Sequence, residues 1–199
     1  MSKWCGPCAS GCVRRSGPAE AARIRAVRRT RSPSSSADGW RNDIGGDGAL
    51  TKRGTGTLTL TGDNRYGGGT SVEAGTLVAA HVHALGRGDV RVTGGTLRVE
   101  RVLRIRGSYG QEGATALQLT LRDRREPALA VDRRVLLGRG SVLSLRLDAE
   151  RPPAVGTTVP VLSAASLRGG FSRVALESDT LRAVPVHTSQ GLSVRLVRR

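Results

Sequence analysis

From about residue 48 onward, apolar and polar residues alternate in short runs. Thr57-Leu58-Thr59-Leu60-Thr61, Thr76-Leu77-Val78 and Thr96-Leu97-Arg98-Val99-Glu100 each set opposite characters on alternate positions. That period of two marks a strand with one buried face. Each run begins with the triplet Gly-Thr-Leu, at 56–58, 75–77 and 95–97, spaced 19 and then 20 residues apart. Thr70-Ser71-Val72 and Asp89-Val90-Arg91-Val92-Thr93 predict a second strand per unit. The intervening Gly62-Asp63-Asn64, Gly67-Gly68-Gly69 and Gly86-Arg87-Gly88-Asp89 are corners, because Gly, Asn and Asp tolerate positive φ.

A constant period with short strands predicts a solenoid whose coils bury one another's apolar side. Stacking then puts Leu58, Leu77 and Leu97 above one another inside, with Arg91, Arg98, Arg104 and Arg106 facing water. An antiparallel sandwich also has short strands and Gly turns. The unbroken phase of Gly-Thr-Leu favours the coil. The alternation continues in LRIRGSYGQEGATALQLTLRD, GSVLSLRLDAERPPAVGTTVPVLSAASLRGGFSRV and GLSVRLVRR.

GTGTLTLTGDNRYGGGTSVEAGTLVAAHVHALGRGDVRVTGGTLRVE resembles the autotransporter-associated β-strand repeat. The matching positions are Gly56, Leu58, Leu60, Gly62, Asn64, Tyr66, Gly68, Gly69, Thr70, Val72, Gly75, Thr76 and Leu77, with Gly95, Thr96 and Leu97 opening the next unit. The resemblance implies a right-handed parallel β-helix in an exported or cell-surface protein. Residues 37–199 are also similar to the C-terminal extension of secreted acid phosphatases of the phosphatidic-acid-phosphatase and vanadium-haloperoxidase-like class. Gly107–Gln111, Gly156–Leu162 and Gly169-Gly170-Phe171 resemble the terminal coils that follow such repeats. The expected organisation is a basic, disordered arm over 1–40, repeats over 41–106, and terminal β coils or a cap over 107–199.

Composition supports that division. Leu, Ile, Val and Phe number three in residues 1–40 and 43 in residues 41–199. Residues 1–40 also hold eight basic side chains against two acidic ones and end in Arg31-Ser32-Pro33-Ser34-Ser35-Ser36. Such a segment has too little apolar surface to offset the entropy of ordering. The net charge of +16 invites a polyanion reading. However, 30 of the 32 cations are Arg, a skew that a GC-rich coding sequence produces, and aromatic residues make up 3%. With no nucleic-acid-binding motif, specific nucleic-acid recognition is not expected. No apolar run is long enough to span a membrane. Arg14-Arg15 precedes Ser16-Gly17-Pro18-Ala19-Glu20, so no export signal is expected in the chain as written.

Candidate chemistry is sparse. Trp4-Cys5-Gly6-Pro7-Cys8 spells a thioredoxin active site. That chemistry needs Cys5 at the start of a helix that follows a strand. Three residues before Trp4 leave no room for the strand, and Gly11 and Gly17-Pro18 break a helix. Cys5, Cys8 and Cys12 lack a nearby fourth ligand for structural zinc. His81 and His83 would share a face, with no third ligand identifiable from the sequence, and His187 stands alone. Asp63, Glu73 and Asp89 are isolated, and Asp123-Arg124-Arg125-Glu126 and Asp148-Ala149-Glu150 read as solvated corners rather than a calcium or acid–base site. The phosphatase class implied by resemblance needs a Lys ahead of an Arg-Pro pair, a Pro-Ser-Gly-His segment, and a Ser-Arg with downstream His and Asp. Arg151-Pro152 lacks the Lys, Pro-Ser-Gly-His is absent, and Ser172-Arg173 leads to Asp179 without the His. The expectation is a non-catalytic module with no catalytic, cofactor or metal residues and no cofactor. Its alternatives are the C-terminal part of a secreted acid phosphatase lacking its catalytic domain, or a non-specific polyanion or polysaccharide binder. The expected partners are a cell-wall polymer or polysaccharide and an upstream catalytic domain.

Overall fold

The computed structural model describes residues 37–199 and, for the backbone alone, Arg23–Ala26. The described residues form two parallel sheets, and the chain alternates between them once per coil. The first sheet takes β1 (Arg23–Ala26), β3 (Ala49–Lys52), β5 (Thr70–Val72), β7 (Val90–Val92), β10 (Tyr109–Gln111), β12 (Leu129–Leu137) and β14 (Thr158–Gly169), in that order. The second takes β2 (Ala37–Trp40), β4 (Thr57–Leu60), β6 (Thr76–Ala79), β8 (Thr96–Val99), β11 (Ala116–Leu121), β13 (Val142–Leu147) and β15 (Arg173–Glu177). β9 (Leu103–Ile105) lies along the first part of the long β12, and β10 along its last part. This is the architecture of a parallel β-solenoid, and an antiparallel sandwich is ruled out for these coils.

Register explains the repeat. Leu58, Leu77, Leu97, Leu117 and Leu143 are successive partners across five strands of the second sheet. All five are buried. Leu60, Ala79, Val99, Leu119 and Leu145 form the adjacent inward column. Opposite them, Leu50, Thr70, Val90, Tyr109 and Val135 line the first sheet. A parallel strand turned by one residue would send each of these columns into water, so the Gly-Thr-Leu phase and the core are one constraint. Arg91, Arg104 and Arg106 are exposed, and Arg98 is half-buried, its Nε donating to Gln118 Oε1 at 2.6 Å on the next coil.

The polar repeat positions fasten corners to one another. Asn64 is buried; its Oδ1 accepts the Ile44 N–H at 2.8 Å and its Nδ2 donates to Ala84 O at 2.6 Å. One amide thus ties three coils. Tyr66 Oη donates to Thr70 Oγ1 at 2.6 Å, and Thr70 Oγ1 donates to Leu85 O. Gly86 has φ +70, and a Cβ there would lie 2.8 Å from the Tyr66 ring. Left-handed backbone and the absence of a side chain are both needed at that point. In the later coils Tyr109 Oη donates to Gln111 Oε1 at 2.9 Å, while Gln111 Nε2 donates to Thr115 O at 2.8 Å. Burial raises the phenols of Tyr66 and Tyr109 well above their ordinary range.

The last strands change direction. β17 (Gly191–Arg198) runs antiparallel to β14, and β16 (Leu181–Thr188) antiparallel to β17, so the first sheet ends in a hairpin. Leu192, Val194 and Leu196 of β17 are buried, whereas β16 is the edge and exposes Val184 and Val186. Pro185 between them removes an N–H, a feature suited to an edge.

At the other end, strands occur inside the segment read as an arm. β1 pairs with β3, and β2 pairs with β4. In β2 only Trp40 is even partly buried. Such a strand is held by backbone hydrogen bonds, to which a count of apolar residues is blind. Residues 1–22 and 27–36 lie outside the described residues, and with them Cys5, Cys8, Cys12 and the Trp4–Cys8 motif.

Candidate functional site

Several of the acidic residues read as isolated or as solvated corners link one coil to the next, as do Asp132 and Glu177. Arg53 Nε pairs with Glu73 at 2.5 Å, and Asp89 Oδ1 accepts the Ser108 N–H at 2.7 Å. Arg104 pairs with Asp132 at 3.0 Å, and Arg146 with Glu177 at 3.0 Å. Asp148 is buried. Its Oδ1 accepts the N–H groups of Glu150 and Arg151, and its Oδ2 receives Arg122 Nε at 2.6 Å. The Arg151 N–H bond is the foremost reason its carboxyl titrates below the ordinary range. The Asp148 turn is therefore a built corner rather than a solvated one. Apart from the two N–H groups that Asp148 binds in its own turn, each of these pairs joins one coil to a neighbouring one.

One corner gathers more than structural links. Asp63 follows β4, and His81 and His83 lie in the turn after β6, one coil further on. His83 Nδ1–H donates to Asp63 Oδ1 at 2.9 Å, and Arg65 Nη2 donates to Asp63 Oδ2 at 2.9 Å. The Arg65 hydrogen bond, followed by that of His83, holds the Asp63 carboxyl below its ordinary value. The His83 N–H donates to His81 Nδ1 at 3.3 Å, and the two rings meet edge to face with centroids 5.9 Å apart. Ligating atoms of Asp63, His81 and His83 all lie within 4.8 Å of one another, and all three residues are half-buried. Below, Asp43 Oδ1 accepts the Asp63 N–H at 2.7 Å. A shallow cleft opens here, lined by Asp63, Asn64, Arg65, His83, Arg87 and Arg106 among others.

The structure thus brings a carboxylate, Asp63, beside His81 and His83, a neighbour not identifiable from the sequence reading of the two histidines. Asp63 lies 20 positions before His83. The same spacing that aligns the Gly-Thr-Leu triplets would have placed them together. His187 is exposed on the edge strand β16, away from this group in the chain.

A second polar group is interior. Lys52 is buried at the inner end of β3, and its Nζ donates to Gly54 O at 2.7 Å and to Arg53 O and Ala74 O at 3.1 Å. Burial pulls its ammonium below the usual 10.5. The three carbonyls make it a clamp on the corner rather than a base facing a substrate.

Residues 50–79 match the Passenger-associated-transport-repeat family. What these residues are similar to is thus a single passenger-associated transport repeat. The matched segment runs from the buried Leu50 to Ala79 and so contains Asn64, Tyr66 and the first two Gly-Thr-Leu triplets. The chain is 32% identical over 167 residues to the Neisserial autotransporter lipoprotein NalP of Neisseria meningitidis serogroup B, covering 72% of this chain and 15% of that protein. It is 43% identical over 81 residues to an extracellular serine protease of Serratia marcescens, covering 37% of this chain and 8% of the relative. It is 56% identical over 48 residues to the adhesin BmaC autotransporter of Brucella suis biovar 1, 24% of this chain and 1% of the adhesin. The chain thus spans at most 15% of the length of these relatives.

Proposed function

We propose that this chain is a structural segment of the passenger of a secreted or surface-displayed protein. It is a right-handed β-helix that carries or spaces other parts of that protein and performs no chemistry of its own. The observation that supports this most is the uninterrupted inward column Leu58, Leu77, Leu97, Leu117, Leu143, spanning the matched repeat and the coils beyond it. The side chains there are spent on stacking. The hand agrees with the strong preference of parallel crossovers for the right-handed sense. Relatives that are named proteases and an adhesin share this segment over a small part of their length, as a common scaffold would.

The test is an assay of the purified full chain on casein and on p-nitrophenyl phosphate at acid, neutral and alkaline pH. No turnover is expected. Proteolysis that scales with this protein would place catalytic groups in the solenoid. Phosphate release that scales with this protein would likewise place catalytic groups in the solenoid.

A second reading, as a binder of anionic polysaccharide or cell-wall polymer, is favoured by Arg65, Arg87 and Arg106, which line one cleft at successive corners. Retention on heparin that falls steeply with salt, and weakens when these three are changed together to Gln, supports it.

A further inference from the structure

We propose that Asp63, His81 and His83 form a binding site for a divalent transition-metal ion that favours imidazole, of which zinc is the type. The two histidines come from one turn and the carboxylate from the coil beneath, so the site exists only in the stacked solenoid. Their ligating atoms already lie within 4.8 Å of one another. Donors around a tetrahedral zinc with bonds of about 2.0–2.2 Å stand roughly 3.3 Å apart. A small rotation of half-buried side chains closes that difference. His83 Nδ1 and Asp63 Oδ1, hydrogen-bonded at 2.9 Å, need only part slightly. The proton between them is what the metal replaces; it moves to Nε2 of the same ring or, from a protonated ring, to solvent.

The surroundings narrow the choice of ion. Arg65 holds Asp63 Oδ2 and leaves Oδ1 turned toward the histidines, the kind of outer contact that orients a metal ligand. The Asp43 carboxylate, bound to the Asp63 N–H, fixes the same corner from below. Calcium or magnesium would need more oxygen donors than one carboxylate offers, and the cations Arg65, Arg87 and Arg106 around the cleft disfavour a hard ion held by charge alone. Nitrogen donors suit zinc, nickel or copper. Asp63 and His83 also line the cleft that holds Arg65, Arg87 and Arg106, so a further ligand reaching the ion from that side would be favoured as an anion.

The probe is zinc itself, titrated calorimetrically into the full chain. Cys5, Cys8 and Cys12 are first alkylated so that thiolates do not compete. One equivalent should bind, and it should raise the melting temperature. Asp63→Asn, His81→Ala and His83→Ala should each weaken binding by at least about tenfold, whereas His187→Ala should leave it unchanged. The zinc-induced rise in melting temperature is read for each variant against its own metal-free melt, so a destabilised variant still reports. Absence of zinc binding to the alkylated wild type overturns the site. So does equal binding by wild type, Asp63→Asn and His81→Ala, which would mark adventitious surface coordination.

Discussion

At the scale of single residues, the repeat letters are corner fasteners. Asn64 satisfies an N–H of the coil before it and a carbonyl of the coil after it. Burial with both bonds made is what lets a polar side chain sit inside. Lys52 is the more exposed case energetically, because its charge is desolvated against three carbonyls. Its ammonium titrates below 10.5 through burial. Between the folded and unfolded values the unfolded chain holds more protons, so this group's contribution to stability rises with pH through that window. Urea unfolding of wild type and Lys52→Met at neutral pH and near the unfolded value isolates the effect, since the two buried tyrosines are common to both. The wild type should gain on the variant as pH rises toward 10.5. A gap that does not change with pH would mean the ammonium is hydrated in the folded state.

At the scale of elements, the strand pair β4–β6 and its successor β8 carry the stacking. Leu77 of β6 lies between Leu58 and Leu97 and has no exposed surface. Leu77→Asp places an unpaired carboxylate between two leucines and should cost several kcal/mol, on the order of 3–5. Arg91→Asp on the exposed side of β7 should cost about 0.5 kcal/mol or less. Arg91 is the proper control because Arg98, equally outward in sequence, is bonded to Gln118. Circular dichroism melts of the two variants decide it: equal small shifts would mean the leucine column is not the core.

At the scale of the whole molecule, the coils are closed at one end by the hairpin of β16 and β17. Deleting residues 178–199 strips β14 of its outer partner, leaving only β12 beside it, and uncovers the face that Leu192, Val194 and Leu196 bury. Each such side chain contributes about 1.5–3 kcal/mol by burial, so the loss approaches the 5–15 kcal/mol that holds a typical domain together. The shortened chain should lose its cooperative melt and bind a hydrophobic dye. An unchanged melting temperature would show that the parallel coils are stable without the hairpin.

The sequence by itself determined the strands, their period and the inward face, because alternation and the Gly-Thr-Leu phase are local properties that each coil repeats. It also presented Asn64 and Tyr66 as repeat positions, though not their partners. The tertiary structure alone decided what one coil sets against the next. Asp63 meets His83, Arg53 meets Glu73, and Asp148 is buried under its own turn. Two polar residues some twenty positions apart carry no mark of their contact beyond the coil spacing itself. The pairing of β1 with β3 and of β2 with β4 is likewise a tertiary matter, since it rests on backbone groups to which apolar composition is blind.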